Sequence, residues 1–274
     1  MTVIAQISDI HFGSEGAGEA EALVEELNRE QLDLVILSGD LTMAARRREF
    51  EKARDFIAAI EAPTLSVPGN HDITPYHLLE RFVAPYRRWR AFIGAELEPS
   101  WSNGTAAVVG INTARRMRFR LDWSHGSVSR GQLRALSPRF AALGACPFRI
   151  VVAHHPFLEE DTPDLGKRPR VMVARARDAL EAFARHDVDL VVAGHLHRTY
   201  AAFFEGPPTA GQAHRVTTVQ AGTALSARVR GEANSFNVIR IEDGRLAVHR
   251  VARRDRRWQV DSDPLVAIDK AATR

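Results

Sequence analysis

Leu34-Val35-Ile36-Leu37-Ser38-Gly39-Asp40 sets four apolar residues directly against a serine, a glycine and a carboxylate. An apolar run without polar alternation marks a strand covered on both faces, as in parallel sheets packed between other layers. Gly39-Asp40 then reads as a sharp exit from that strand rather than as its continuation. The same pattern recurs four times. Val3–Ser8 leads into Asp9-Ile10-His11, Leu65–Val67 into Gly69-Asn70-His71-Asp72, Arg149–Ala153 into His154-His155-Pro156, and Asp189–Ala193 into Gly194-His195-Leu196-His197.

The intervals between these strands read as helices. Glu19–Glu30 carries Ala22, Leu23 and Leu27 on one side, and Arg47–Ile60 places Phe50, Ala53, Ile57 and Ile60 at spacings of three and four. Strands alternating with helices predict parallel pairing through crossover connections. Pro75–Gly94 is expected to be helical in part, interrupted at Pro85, and Ser129–Leu143 helical with a break near Pro138. Ala106–Asn112 reads as a strand, Glu159–Arg170 as a polar loop, and Val173, Ala176, Leu180 and Phe183 as one face of a further helix. Beyond residue 200 the chain is β-rich to about 252. Arg215–Gln220, Phe236–Ile241 and Arg245–Val251 alternate, and Asp243-Gly244 forms a hairpin turn. The tail 253–274 lacks periodicity and is expected to pack loosely. No linker or repeat divides the chain, so 1–274 reads as one domain.

Composition excludes several classes. Of 274 residues, 45% are hydrophobic and 26% charged, an ordinary globular balance. A net charge of +3, from 37 basic and 34 acidic residues, gives little support to a nucleic-acid partner, despite Arg253, Arg254, Arg256 and Arg257. Cys146 is the single cysteine, so no disulfide forms within the chain. No run reaches the roughly 18 apolar residues of a membrane span, and no secretory signal precedes Val3, so the expected location is the cytoplasm. Oligomeric state is not legible.

In open α/β sheets, ligand sites form beyond the carboxyl ends of the strands. Five sequence-distant fragments that each follow a strand therefore converge on one rim, bringing carboxylate, imidazole and amide donors together. Each fragment alone is weak, since Asp-x-His and Gly-Asp are common turns. All five in order make a chance arrangement improbable. Such a donor set, without thiolate, suits Mn, Fe, Zn or Co better than Ca or Mg. Two such ions about 3.5–4 Å apart acidify a bridging water and stabilise the attacking and leaving oxygens of an in-line displacement.

The ordered pattern D-x-H, G-D, G-N-H-D, a histidine after a strand, and G-H-x-H resembles that of the calcineurin-like metallophosphoesterases. The resemblance spans roughly Val3 to His197 and has no substitution at any motif position. It implies a four-layer α/β/β/α sandwich of two packed sheets and hydrolysis of phosphate esters by metal-activated hydroxide. It further implies that Asp9, His11, Asp40 and His197 bind one metal. Asp40, Asn70, His154 and His195 would bind the other, with Asp40 shared. By the same resemblance His71 faces the substrate and assists the leaving oxygen, while His155 supports rather than ligates.

The stretches around Asp40-Leu41-Thr42, Pro68 to Asp72 and His154-His155-Pro156 look most like bacterial cyclic-nucleotide and glycerol phosphodiesterases. A small phosphodiester is therefore the expected substrate. Phosphomonoester or pyrophosphate hydrolysis is the alternative of the same family, and a non-catalytic metal-binding scaffold the alternative of another class. Arg115, Arg116, Arg118 and Arg120 read as a solvated basic face, and residues 221–235 as a polar, small-residue segment near the site without an assigned role.

Overall fold

Strands that are apolar at every position become the inner strands of two sheets. The computed structural model describes residues 1–116, 124–159, 173–208, 214–225 and 232–270. In chain order the first elements are β1 (Thr2–Ile7), α1 (Glu19–Arg29), β2 (Leu34–Leu37), α2 (Arg47–Ala58), β3 (Thr64–Ser66), α3 (Leu78–Val83) and α4 (Arg87–Phe92). There follow β4 (Ser100–Ser102), β5 (Ala106–Gly110), α5 (Arg130–Ala142), β6 (Phe148–Val152), α6 (Ala176–Arg185), β7 (Leu190–Ala193), β8 (Tyr200–Glu205) and β9 (Arg215–Gln220). The chain closes with β10 (Ser235–Glu242), β11 (Arg245–Arg254), β12 (Arg257–Val260) and β13 (Val266–Asp269).

One sheet has the order β12-β11-β10-β1-β2-β3, with β13 also paired to β11, and the other the order β4-β5-β6-β7-β9-β8. β1, β2 and β3 are parallel, as are β5, β6, β7 and β9, while β4 and β8 add antiparallel edges. Successive side chains of a strand point to opposite faces, which explains the unbroken apolar runs. In β1, Val3, Ala5 and Ile7 pack with Leu23 and Leu27 of α1 and Phe50 and Ala53 of α2, whereas Ile4 packs between the sheets. In β6, Val151 faces α5 and α6 while Ile150 and Val152 face the first sheet. Three apolar interfaces separate four layers, giving the expected α/β/β/α sandwich.

Several local expectations need correction. The buried stripe of α2 is Phe50, Ala53 and Phe56, while Ile57 is half-buried and Ile60 lies beyond the helix end. α5 runs uninterrupted through Pro138. That residue is exposed, so the carbonyl it leaves without a helical donor can be hydrated. The tail is also more ordered than expected. β12 and β13 both pair with β11, Trp258 packs on Phe236 with ring centroids 5.2 Å apart, and Lys270 Nζ lies 2.8 Å from Asp189. Four-residue edge strands are too short for alternation to register in the sequence. Arg253 and Arg254 pair with Glu19 and Asp261, each at 2.6 Å, which accounts for two of the four clustered arginines by local ion pairs. No helix among the described residues is long and apolar enough to cross a membrane.

Candidate metal centre

The carboxyl ends of β1, β2, β6 and β7, with the loop after β3, bring the fragments together. Asp9, His11, Asp40, His195 and His197 all have positive φ, between 52° and 77°. Left-handed backbone is uncommon for residues other than glycine and is concentrated at functional sites. Here it turns five of the seven expected ligands out of their strands and over the rim. The flanking glycines serve a second purpose. A Cβ at Gly69 would collide with the Asp40 carboxylate and backbone nitrogen, and one at Gly194 with Ser8 Oγ and the Asp9 carboxylate. Of the three flanking glycines singled out in the sequence, only Gly39 has positive φ, so the other two are needed for close approach alone. Gly69→Ala is expected to displace Asp40 and remove most bound metal; elemental analysis of the purified variant checks this.

Two donor groups result. In the first, His11 Nε2 and His197 Nε2 face each other at 3.2 Å, and Asp9 Oδ1 lies 3.7 Å from the former and 3.3 Å from the latter. In the second, His154 Nε2 lies 3.1 Å from Asn70 Oδ1 and 3.3 Å from His195 Nδ1. Asp40 belongs to both. Its Oδ2 is 3.8 Å from His11 Nε2 and 3.3 Å from His154 Nε2, while its Oδ1 accepts from the His71 backbone N–H at 2.8 Å.

The residues fit a cation on their own chemistry. Asp9 Oδ1 is buried without a hydrogen-bond donor, although Oδ2 of the same carboxylate takes Ser8 Oγ at 2.6 Å and His195 N at 2.8 Å. A buried carboxylate oxygen left unpaired toward facing imidazole nitrogens is costly unless a positive charge stands among them. Groups of three metal-capable side chains also take in His71, with His11 and Asp40, and His155, with His154 and His195. His155 is otherwise engaged. Its Nδ1 meets Thr113 Oγ1 at 2.8 Å and its Nε2 meets the Ser124 carbonyl at 2.7 Å, so both ring nitrogens have partners.

Electrostatics follow from burial and crowding. Burial alone would push the Asp40 carboxyl up, but His154, His71 and His11 outweigh it and hold it well below the usual carboxylate range. Asp9 is held low in the same way by His11 and His197. Burial, with the Asp40 charge added, pushes Asp72 up to about 6. Burial and the neighbouring His154 depress His195 to about 4. For His154 burial is opposed and outweighed by Asp40, which raises it to about 9. Ligation needs the Nε2 lone pair, so a metal must displace this proton. Apparent metal affinity is therefore expected to rise as pH increases toward about 9 and then level off. Calorimetric titration in buffers of different ionisation heat checks the accompanying proton release.

Several supporting groups were invisible or unassigned in the sequence. The Ser38 carbonyl, 2.9 Å from His154 Nδ1, can hold a proton there and leave Nε2 for ligation. The Met43 carbonyl does the same for His71 Nδ1 at 2.6 Å. Main-chain acceptors leave no mark on a sequence. Asp72 stands within the Gly-Asn-His-Asp fragment, and its buried carboxylate accepts from Gly69 N and Thr42 N at 2.9 Å, joining the loops that carry Asp40 and Asn70. Ala224 N donates to Ser8 O at 3.1 Å, which places the start of the 221–235 segment behind Asp9. Residues 226–231, Arg118, Arg120 and most of the Glu159–Arg170 loop lie outside the described residues. Arg115 is not a solvated basic side chain. Its guanidinium bonds Ser127 Oγ, Gln132 Oε1 and the carbonyls of Asn112 and Ala114, a structural tie on the rim.

Residues 2–199 match the family described as calcineurin-like phosphoesterase. A glycerophosphodiester phosphodiesterase of Enterobacter lignolyticus is 39% identical over 82 residues, 26% of this chain and 29% of that protein. A 3',5'-cyclic-nucleotide phosphodiesterase of Nostoc sp. is 24% identical over 212 residues, 72% of each chain. Among solved structures, a purple acid phosphatase from yellow lupin superposes with a TM-score of 0.67 at 16% identity, covering 94% of this chain and 52% of that one. At that identity the likeness is one of fold.

Proposed function

The chain belongs to the calcineurin-like phosphoesterase family, and from that premise we propose that it is a binuclear metal-dependent phosphodiesterase. The observation that carries this reading is the placement of Asp40 Oδ2, one oxygen within 3.8 Å of His11 Nε2 and 3.3 Å of His154 Nε2. Asp9, His11, Asp40 and His197 would hold one cation, and Asp40, Asn70, His154 and His195 the other. Two cations held there would supply Lewis-acid stabilisation of the phosphoryl oxygens and an acidified water. Manganese, iron, zinc and cobalt all suit the donors.

The chain's own residues account for the remaining chemistry. His71 hydrogen-bonds Met43 O through Nδ1, and its backbone N–H is anchored on Asp40. Its Nε2 is then the nitrogen that donates a proton to the departing alkoxide, and the ring is left as the neutral Nδ1–H tautomer. His155, tied on both nitrogens, orients the rings of His154 and His195 rather than ligating. Both sheets contribute donors, which supports reading residues 1–274 as one domain.

The preference for a diester rests on the two phosphodiesterase relatives, and monoester hydrolysis is the competing reading. Hydrolysis of bis(p-nitrophenyl) phosphate beside p-nitrophenyl phosphate, by manganese-loaded protein with Asn70→Ala as control, separates them. Faster diester cleavage that vanishes in the control is expected. Faster monoester cleavage would overturn the diester assignment, and silence on both would favour a metal-binding scaffold.

A further inference from the structure

α3 is amphipathic the wrong way round for a helix on a protein surface. Three of its four apolar side chains point outward, Leu78 being 53% exposed, Leu79 79% and Val83 73%, while Phe82 is half-buried; Tyr76 just before the helix is 64% exposed. Its charged side chains point inward. Arg81 is buried and donates to the carbonyls of Ile73 at 3.0 Å, Thr74 at 3.1 Å and Arg116 at 2.7 Å. Glu80 is gripped by Arg88 through both nitrogens, at 2.9 and 2.8 Å. The inward bonds hold the helix in this orientation, so the outward face is a built feature and not a frayed end. A contiguous exposed apolar patch of this kind marks an interaction site.

The patch has a cationic rim. The Arg46 guanidinium sits 5.7 Å from the Tyr76 ring centroid, Arg87 Nε is 3.4 Å from Glu80, and Arg116 Nη1 donates to Phe82 O at 2.7 Å. Glu80, with both Arg87 and Arg88 against it, is more than neutralised. Apolar side chains framed by arginines match the interfacial region of a bilayer, where acyl chains take the former and anionic headgroups the latter. A second copy of the chain is a poorer fit, because it would bring arginine against arginine. Four side chains on and beside one short helix also offer far less than the roughly 800 Å² per partner of a standard interface.

We infer that α3 and the loop before it dock this protein on the surface of an anionic phospholipid bilayer. The inference rests on exposure and charge alone and stands whether or not the hydrolytic reading holds.

Co-sedimentation of the full chain with vesicles tests it, using phosphatidylcholine alone and phosphatidylcholine with a third phosphatidylglycerol. Retention is expected only on the anionic vesicles, weakening as salt is raised. The doubly substituted Leu79→Glu, Val83→Glu chain should be retained roughly thirtyfold less, since two acidic residues near an anionic surface are each disfavoured by about as much as a basic one is favoured. Both residues are exposed, so the thermal unfolding of that variant should match that of the unsubstituted chain and reports its folding. As an independent readout, an environment-sensitive fluorophore on Leu79→Cys, in a Cys146→Ser background, should shift to the blue on anionic vesicles. Equal retention on both vesicle types, retention unaltered by the two substitutions, or an unshifted fluorophore overturns the proposal. So does a wild-type dimer that the substitutions split into monomers without any vesicle binding, which would assign the face to a second copy.

Discussion

Asp40→Ala should lower diester hydrolysis about a thousandfold or more and cut bound metal from two ions to at most one. Its Oδ2 is placed between the two donor groups, facing His11 Nε2 on one side and His154 Nε2 on the other. Removing it leaves each group one anionic ligand short and leaves buried imidazoles without their counter-charge. Losing even one preorganised charge from such a site costs on the order of a hundred- to a thousandfold in rate, and here both ions are affected. The same substitution frees the His71 backbone N–H, so the residue proposed as proton donor loses its anchor as well. The fold should survive, because Asp40 contributes to no apolar interface between layers. Metal analysis, a thermal scan and steady-state kinetics on one preparation check all three statements. Full activity in this variant would remove the basis of the bridging assignment.

His71→Gln separates the metal role from the proton role. Both metals should remain, because His71 Nδ1 is taken by the Met43 carbonyl and neither proposed ligand set includes the residue. Turnover should fall by about a hundred- to ten-thousandfold on an alkyl diester, the usual range for loss of a general acid. With p-nitrophenolate as leaving group the loss should be much smaller, since that anion departs without a proton. A leaving-group series on wild type and variant reads the difference as a change of slope. Loss of one metal from His71→Gln would instead make the residue a ligand, in keeping with its place in a metal-capable group with His11 and Asp40.

The legible and illegible parts of the chain differ for physical reasons. β1, β2, β6 and β7 could be read because both their faces meet apolar layers, which forces apolar residues at every position. The donors could be read because polar fragments after such strands cannot belong to a core. What escaped was held by the main chain or by context. The Ser38 and Met43 carbonyls select which nitrogen of His154 and His71 faces the site, and any residue type could supply them. Arg115 lay in an arginine-rich stretch with nothing to distinguish it, yet its guanidinium is consumed by loop carbonyls and Gln132. The strands β12 and β13 carry only four residues each on the edge of β11, below the length at which a period of two can be recognised. The inverted face of α3 was lost because periodicity reports that a helix has two faces, not which one is turned inward.

The central claim is that two cations share Asp40. Anomalous diffraction from a crystal of manganese-loaded protein tests it most directly. The account predicts two peaks: one among Asp9, His11, Asp40 and His197, the other among Asp40, Asn70, His154 and His195, with Asp40 Oδ2 common to both. A single peak, or a second ion held by His155 in place of Asn70, would contradict it.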